Sequence, residues 1–173
     1  MSDTFAHHLR LDAIRDGERI DLIADEAERS AIAKRLGLPS LGRLEAHACV
    51  DRNGDNVRTT GRLVAALDQS CVVTGDPVAA HVDEPFEILF VPEPPSGRHD
   101  EEIELGERDC DMVFHDGAAI DLGGAIADTL ALSLNPYPRS AAADAALKEA
   151  GIMTEEQASP FAVLAKLRKA GEP

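Results

Sequence analysis

The sequence predicts an α+β fold: an antiparallel β-sheet, open or curled toward a barrel, with a few helices packed on it. Three observations carry this. Apolar and polar residues alternate through 44–50 and again through 57–67, the period-two signature of half-buried strands. Helical stripes with end signals stand at 25–36 and 121–134. Hydrophobic residues make up 44 % of the 173 residues and aromatics only 3 %, so a core of Leu, Val, Ile and Ala is expected.

In chain order, Leu9, Leu11 and Ala13 recur at period two within 5–14 and predict a strand. Asp16-Gly17 is a turn, and 19–23 returns as a second strand. Residues 25–36 predict a helix, with Asp25, Glu26 and Glu28 at its start and Lys34 and Arg35 at its end, both suited to the helix dipole. Gly37 caps it and Pro39 prevents continuation. After the strand at 44–50, Asn53-Gly54 signals a hairpin into 57–67. Residues 71–73 and 78–91 carry further strand-like stretches. Residues 92–109 hold three prolines and four clustered acids, which predicts a long acidic excursion on the surface. Residues 112–114, the Asp116-Gly117 turn and Ala119-Ile120 predict a last hairpin. Asp121 reads as the cap of a helix whose stripe runs through Leu122, Ala125, Ile126, Thr129, Leu130 and Leu134, ended by Asn135-Pro136. A weak Ala-rich helix is expected at 141–150, and Ser159-Pro160 opens a short one with Phe161, Leu164 and Ala165 on one side. One α+β domain at 1–138 and a helical tail at 139–173 follow.

The formal net charge is −15, from 32 acidic and 17 basic residues. Such a field repels DNA, bare RNA and anionic membrane at long range, and favours basic partners. It also keeps a protein soluble. The low aromatic content leaves few platforms for stacked bases. Cys49, Cys71 and Cys110 are odd in number and lack C-x-x-C spacing, which fits a reducing compartment. Residues 1–10 have no apolar signal core, and no run approaches a bilayer span. A cytoplasmic protein is expected.

The residues point to no catalytic or metal site and to no cofactor. His7, His8, His47, His81, His99 and His115 show no i, i+4 pair on a helix, and His7 and His8 point to opposite faces of a strand. Asp51-Arg52-Asn53-Gly54-Asp55 opens like a calcium loop, but Asn56 and Arg62 stand where that loop needs Gly and Glu. A polar hairpin turn accounts for these residues. No nucleophile elbow, P-loop or dinucleotide fingerprint occurs. Gly123-Gly124 near a helix start could hold an anion, though close packing of the helix explains them better. Cys71 is the best single reactive candidate, yet its sequence neighbours include no cation, and burial as a small apolar residue is the default.

Cys71-Val72-Val73-Thr74-Gly75-Asp76-Pro77-Val78 is followed by a strand and an acidic stretch. Ile120-Asp121-Leu122-Gly123-Gly124-Ala125-Ile126 comes next, then Leu130-Ala131-Leu132-Ser133-Leu134-Asn135-Pro136. In order and spacing these runs resemble the YceD family of large ribosomal RNA subunit accumulation proteins, over roughly 41–138. The ending Ser159-Pro160-Phe161-Ala162-Val163-Leu164 resembles the tail of alphaproteobacterial members. Many relatives carry a C-x-x-C pair at the first run and a second pair near the C-terminus. Here Cys71 matches the first cysteine, Thr74 replaces the second, and residues 137–151 contain none. A four-thiolate zinc site is therefore unavailable, and packing of a helix at 161–167 onto the body is expected to take its place.

The resemblance implies a role in making or keeping large-subunit ribosomal RNA, and no catalytic residues. The expected function is a non-enzymatic ribosome-biogenesis factor that binds precursor ribosomal RNA, a basic ribosomal protein, or both. Arg58 and Arg62 fall on the polar or edge face of their strand but are too few to define an RNA site. The rival expectation is an acidic adaptor or chaperone for a basic protein unrelated to ribosomes.

Overall fold

A computed structural model describes residues 5–93 and 111–151. They fall into two compact units. The larger comprises the described residues up to Gln69 together with those from Ala79 to Pro136. The smaller comprises Ser70–Val78 and the described residues from Tyr137 onward.

The elements follow in the order β1 (His8–Arg10), a 3-10 turn (Leu11–Ala13), β2 (Glu18–Ile23), α1 (Glu26–Leu36), β3 (Ser40–Asn53) and β4 (Asn56–Ser70). Then come β5 (Pro77–Pro92), β6 (Asp111–His115), β7 (Ala119–Asp121), α2 (Leu122–Ser133) and α3 (Ala143–Glu149). The main sheet has five strands in the order β2-β3-β4-β5-β6, and β1 pairs with β7 in a separate ribbon. The fold class is α+β, as the alternation and the helical stripes predict.

Among the described residues the sheet does not close into a barrel. β2 and β6 are its two edges and do not pair with each other. Nor is it wholly antiparallel, because β6 runs parallel to β5, with Phe90 opposite Val113. The expected hairpin at 112–120 does not form. His115 supplies the reason. Its buried ring accepts from Gly117 N–H at Nδ1 (3.0 Å) and donates from Nε2 to the Asp55 carbonyl (2.9 Å). This holds the end of β6 at the β3–β4 turn while β7 turns away to β1. Residues 71–73 are a turn rather than a strand. The first strand is shorter than its alternation suggests, and its partner is β7.

α1 begins and ends as its sequence dictates. The Asp25 carboxylate accepts from Glu28 N–H at 2.8 Å, and Glu28 reaches back to Asp25 N–H, also at 2.8 Å. Gly37 closes the helix in the left-handed region at φ 66°. α2 is capped by Asp121, whose Oδ1 accepts from Gly124 N–H at 3.0 Å. Gly123 lies where the N-terminal segment crosses: a Cβ there would run into the Phe5 carbonyl oxygen. The helix start is thus filled by this chain's own backbone and a carboxylate, which is the packing explanation of the two glycines.

One core joins the sheet to the helices. Leu44, Ala46, Ala48 and Val50 of β3, Val57, Leu63 and Ala65 of β4, and Phe86, Ile88 and Phe90 of β5 bury with Ile32 of α1 and Ile126 and Leu130 of α2. Arg35 and Asp128 tie the two helices at 3.0 Å. The acidic excursion lies mainly outside the described residues, as do His99, Cys110 and the helix expected at 161–167.

Candidate interaction surfaces

Alternation sends every second residue of the long strands away from the core. The resulting outer face is built in rows across the sheet. Asp21, His47 and Arg62 are neighbours in register on β2, β3 and β4. Arg62 Nε in turn meets Asp83 of β5 at 2.5 Å. A parallel row sets Asp51 opposite Arg58, which pairs with Glu87. Between them lies a row of Arg19, Cys49 and Thr60. A shallow cavity of about 530 Å3 opens there, lined by Arg19, Asp21, His47, Cys49 and Thr60.

Several cations of this face are engaged. His47 Nδ1 stands 2.7 Å from Asp21 Oδ1, and Arg43 lies 2.5 Å from Glu45. The hydrogen bond that Arg62 donates to Asp83 raises the guanidinium above its ordinary value, and the same bond lowers the Asp83 carboxyl. Glu45 is lowered likewise by Arg43. These pairs are exposed, so each contributes little to stability. Their consequence is chemical: a phosphate arriving at Arg43, Arg58 or Arg62 would have to displace a carboxylate. Arg58 and Arg62 do point to solvent, as the alternation predicts, but as partners of Glu87 and Asp83.

The calcium-like run is also spoken for. Asp51 Oδ1 accepts from Gly17 N–H at 3.0 Å, and Asp16 Oδ1 accepts from Arg52 N–H at 2.7 Å. These acids tie the Asp16-Gly17 turn to the end of β3. The run is a hairpin turn.

In the smaller unit, Cys71 is 3 % exposed and opens a tight turn. Gly75 N–H returns to the Cys71 carbonyl at 2.9 Å, with Gly75 at φ 77°. The sulfur accepts from Ser140 N–H at 3.3 Å and from Thr74 N–H at 3.5 Å. The Thr74 hydroxyl donates to Asp76 at 2.6 Å and lies 3.2 Å from the Ser140 hydroxyl. Val72 N–H bonds the Pro138 carbonyl at 2.9 Å. Hydrogen bonding from Thr74 and then Ser140 pulls the thiol down to about 6, against burial, which pushes it up. Thr74 is legible in the sequence as the residue three beyond the cysteine. Ser140 is not, because nothing local marks a partner so far along the chain.

This donor set does not fit zinc. A thiolate site needs four converging sulfur or nitrogen ligands, and here one sulfur accepts from two backbone N–H groups. Among the described residues no group of three or more His, Cys, Asp or Glu could hold a metal ion. The segments 71–76 and 138–140 are joined instead by Cys71, Thr74 and Ser140.

The class defined so far is an open-sheet α+β protein whose described polar chemistry lies on surfaces and at turns. The chain belongs to the YceD family: the model of the large ribosomal RNA subunit accumulation protein YceD matches residues 59–168, more than half of the chain. No curated protein and no solved structure matches it. The family is described by accumulation of a ribosomal RNA subunit and not by a reaction, which associates the chain with ribosome biogenesis. Among the described residues no helix is long and apolar enough to cross a membrane.

Proposed function

We propose that this protein is a non-enzymatic, cytoplasmic factor that supports accumulation of large-subunit ribosomal RNA by binding a component of the assembling subunit. The observation that carries the reading is the family match, which runs from β4 through α3 and so takes in most of the sheet and both later helices. The net charge of −15 and the carboxylate-bound arginines of the outer face favour a basic ribosomal protein over bare RNA as the direct contact. The domain arrangement that accompanies this reading is a body at 1–138 with a tail at 139–173.

The test is a deletion strain. Large-subunit RNA is expected to fall relative to small-subunit RNA and to recover when the gene is restored. Unchanged large-subunit RNA would reject the reading. Affinity capture of the full chain separates the adaptor alternative, since ribosomal proteins should dominate the captured material here and be absent there.

A further inference from the structure

β2 is an open edge of the main sheet: β3 pairs with it on one side, and no strand among the described residues pairs with it on the other. The direction of its backbone groups follows from its register. Ala24 N–H donates to the Leu44 carbonyl at 3.0 Å, and the β2–β3 pairs continue from there without a shift. Leu22 and Ile20 therefore turn their N–H and C=O groups toward β3, while Arg19, Asp21 and Ile23 turn theirs to the open edge. The side chains of this second set share the outer face, where all three are exposed. Ile23 is 66 % exposed.

Two rows of the outer face reach this edge, and they end in opposite charges. The row of Asp83, Arg62 and His47 ends on Asp21, and the row of Thr60 and Cys49 ends on Arg19. Unlike Arg43, Arg58 and Arg62, Arg19 has no carboxylate partner among the described residues. Asp21 gives Oδ1 to His47, and among the described residues its Oδ2 is bound to nothing. Such an edge is complementary to itself. Antiparallel pairing of two copies sets outward residues against outward residues. Near the middle of the strand, Arg19 then faces Arg19, Asp21 faces Asp21, or Arg19 faces Asp21. The first two set like charges opposite each other, which destabilises a pair of strands. The third places a two-fold axis at Ile20. Each Arg19–Asp21 pair there exchanges two main-chain hydrogen bonds. Ile20, half-buried against the core, meets its own copy on the inner face. Ile23 comes to the Asp16-Gly17 turn of the other copy, where a side chain on Gly17 would touch nothing and the space is open.

We propose that β2 pairs antiparallel with β2 of a second copy of this chain, continuing the sheet across a two-fold axis at Ile20. Arg19 of each copy meets the partner's Asp21 through main chain and side chain together, so the interface is the same patch used twice. The pairing covers a strand edge that is otherwise a template for indiscriminate association. It goes beyond the ribosomal reading and does not depend on it.

Sedimentation velocity of the purified full chain over a wide range of concentration tests this, and a monomer–dimer equilibrium is expected. Arg19→Asp alone and Asp21→Arg alone each set like charges opposite, and each should weaken the dimer about tenfold, because two symmetric pairs change together. Arg19→Asp combined with Asp21→Arg restores opposite charges and should restore the dimer. That rescue, with circular dichroism on every variant, separates lost pairing from lost folding. The register is read by Ile20→Cys oxidised with diamide. Residues facing across a non-hydrogen-bonded pair stand about 4.5 Å apart at Cα, so a disulfide between copies should form at that position. Ile23→Cys should form none, and peptide mapping tells either link from one through Cys49, Cys71 or Cys110. A chain that stays monomeric throughout, a dimer indifferent to the single charge changes, a combined exchange that fails to restore it, or a link through Ile23→Cys in place of Ile20→Cys would each overturn the proposal.

Discussion

Thr59 stands in the core of β4, opposite Val50, with its hydroxyl fully buried. It is the only buried side-chain polar atom without a hydrogen-bond partner among the described residues. A hydroxyl in that position loses its water and gains nothing in return. Thr59→Val keeps the shape and removes the oxygen, so the variant should be more stable by about 1 kcal/mol. Thermal unfolding should shift upward by roughly 2–4 °C for a chain of this size. A lower midpoint would show that the hydroxyl has a partner. Cys71 gives the second prediction at this scale. Its thiol titrates near 6 in the folded chain against 9.0 for a free one. The folded state thus binds the proton less tightly, and the thiolate stabilises it as pH rises. That contribution is absent below about 6, grows through the window, and is complete above 9.0. The stability difference between the natural chain and Cys71→Ala should therefore widen as denaturant melts are moved from pH 6 to pH 9.0. A difference flat in pH would reject the thiolate.

Elements in this protein meet through backbone as much as through side chains. Gly123 lets the carbonyl of Phe5 and the N–H of His7 approach the first turn of α2, and Leu122 N–H bonds the His7 carbonyl at 3.0 Å. The Asp121 carboxylate adds a 3.1 Å bond from His7 N–H. The ribbon β1–β7 is thereby seated on the helix. Gly123→Ala would force a methyl against backbone, which cannot swing aside as a side chain does. Destabilisation of about 2 kcal/mol is expected, the middle of the range for overpacking. Hydrogen exchange should show the loss first in β1 and β7. Exchange unchanged in those strands would mean the segment is held elsewhere. His115 works at the same scale, joining two turns that are distant in sequence by using both ring nitrogens.

At the scale of the whole molecule, the net charge of −15 conceals local pairing. The outer sheet face mixes arginines with carboxylates in ordered pairs. A basic partner steered by the overall field meets carboxylates on this face that already hold arginines. Such a contact weakens with ionic strength, because the steering field is screened over about 8–10 Å near physiological salt. Washing the affinity-captured complexes at raised salt should release basic proteins first.

Much of this was determined by the sequence alone. Period-two alternation in β3 and β4 set which residues are buried, because a strand with one dry face has no other way to satisfy them. Asp25, Glu28 and Gly37 set the ends of α1, and Asp121 set the start of α2, because capping bonds reach only three or four residues. The order of the Cys71, Gly123 and Asn135 runs carried the family. Only the tertiary structure decided the rest. The pairing of β6 with β5 and of β7 with β1 depends on contacts between strands far apart in the chain, which local alternation does not encode. The joining of Cys71 to Ser140 is of the same kind. So are the rows of the outer face: Asp21, His47, Arg62 and Asp83 become neighbours only when four strands pair. Hydrogen bonds and hydrophobic stripes act over one turn or one strand and can be read along the chain. Sites assembled from several elements exist only once those elements are packed.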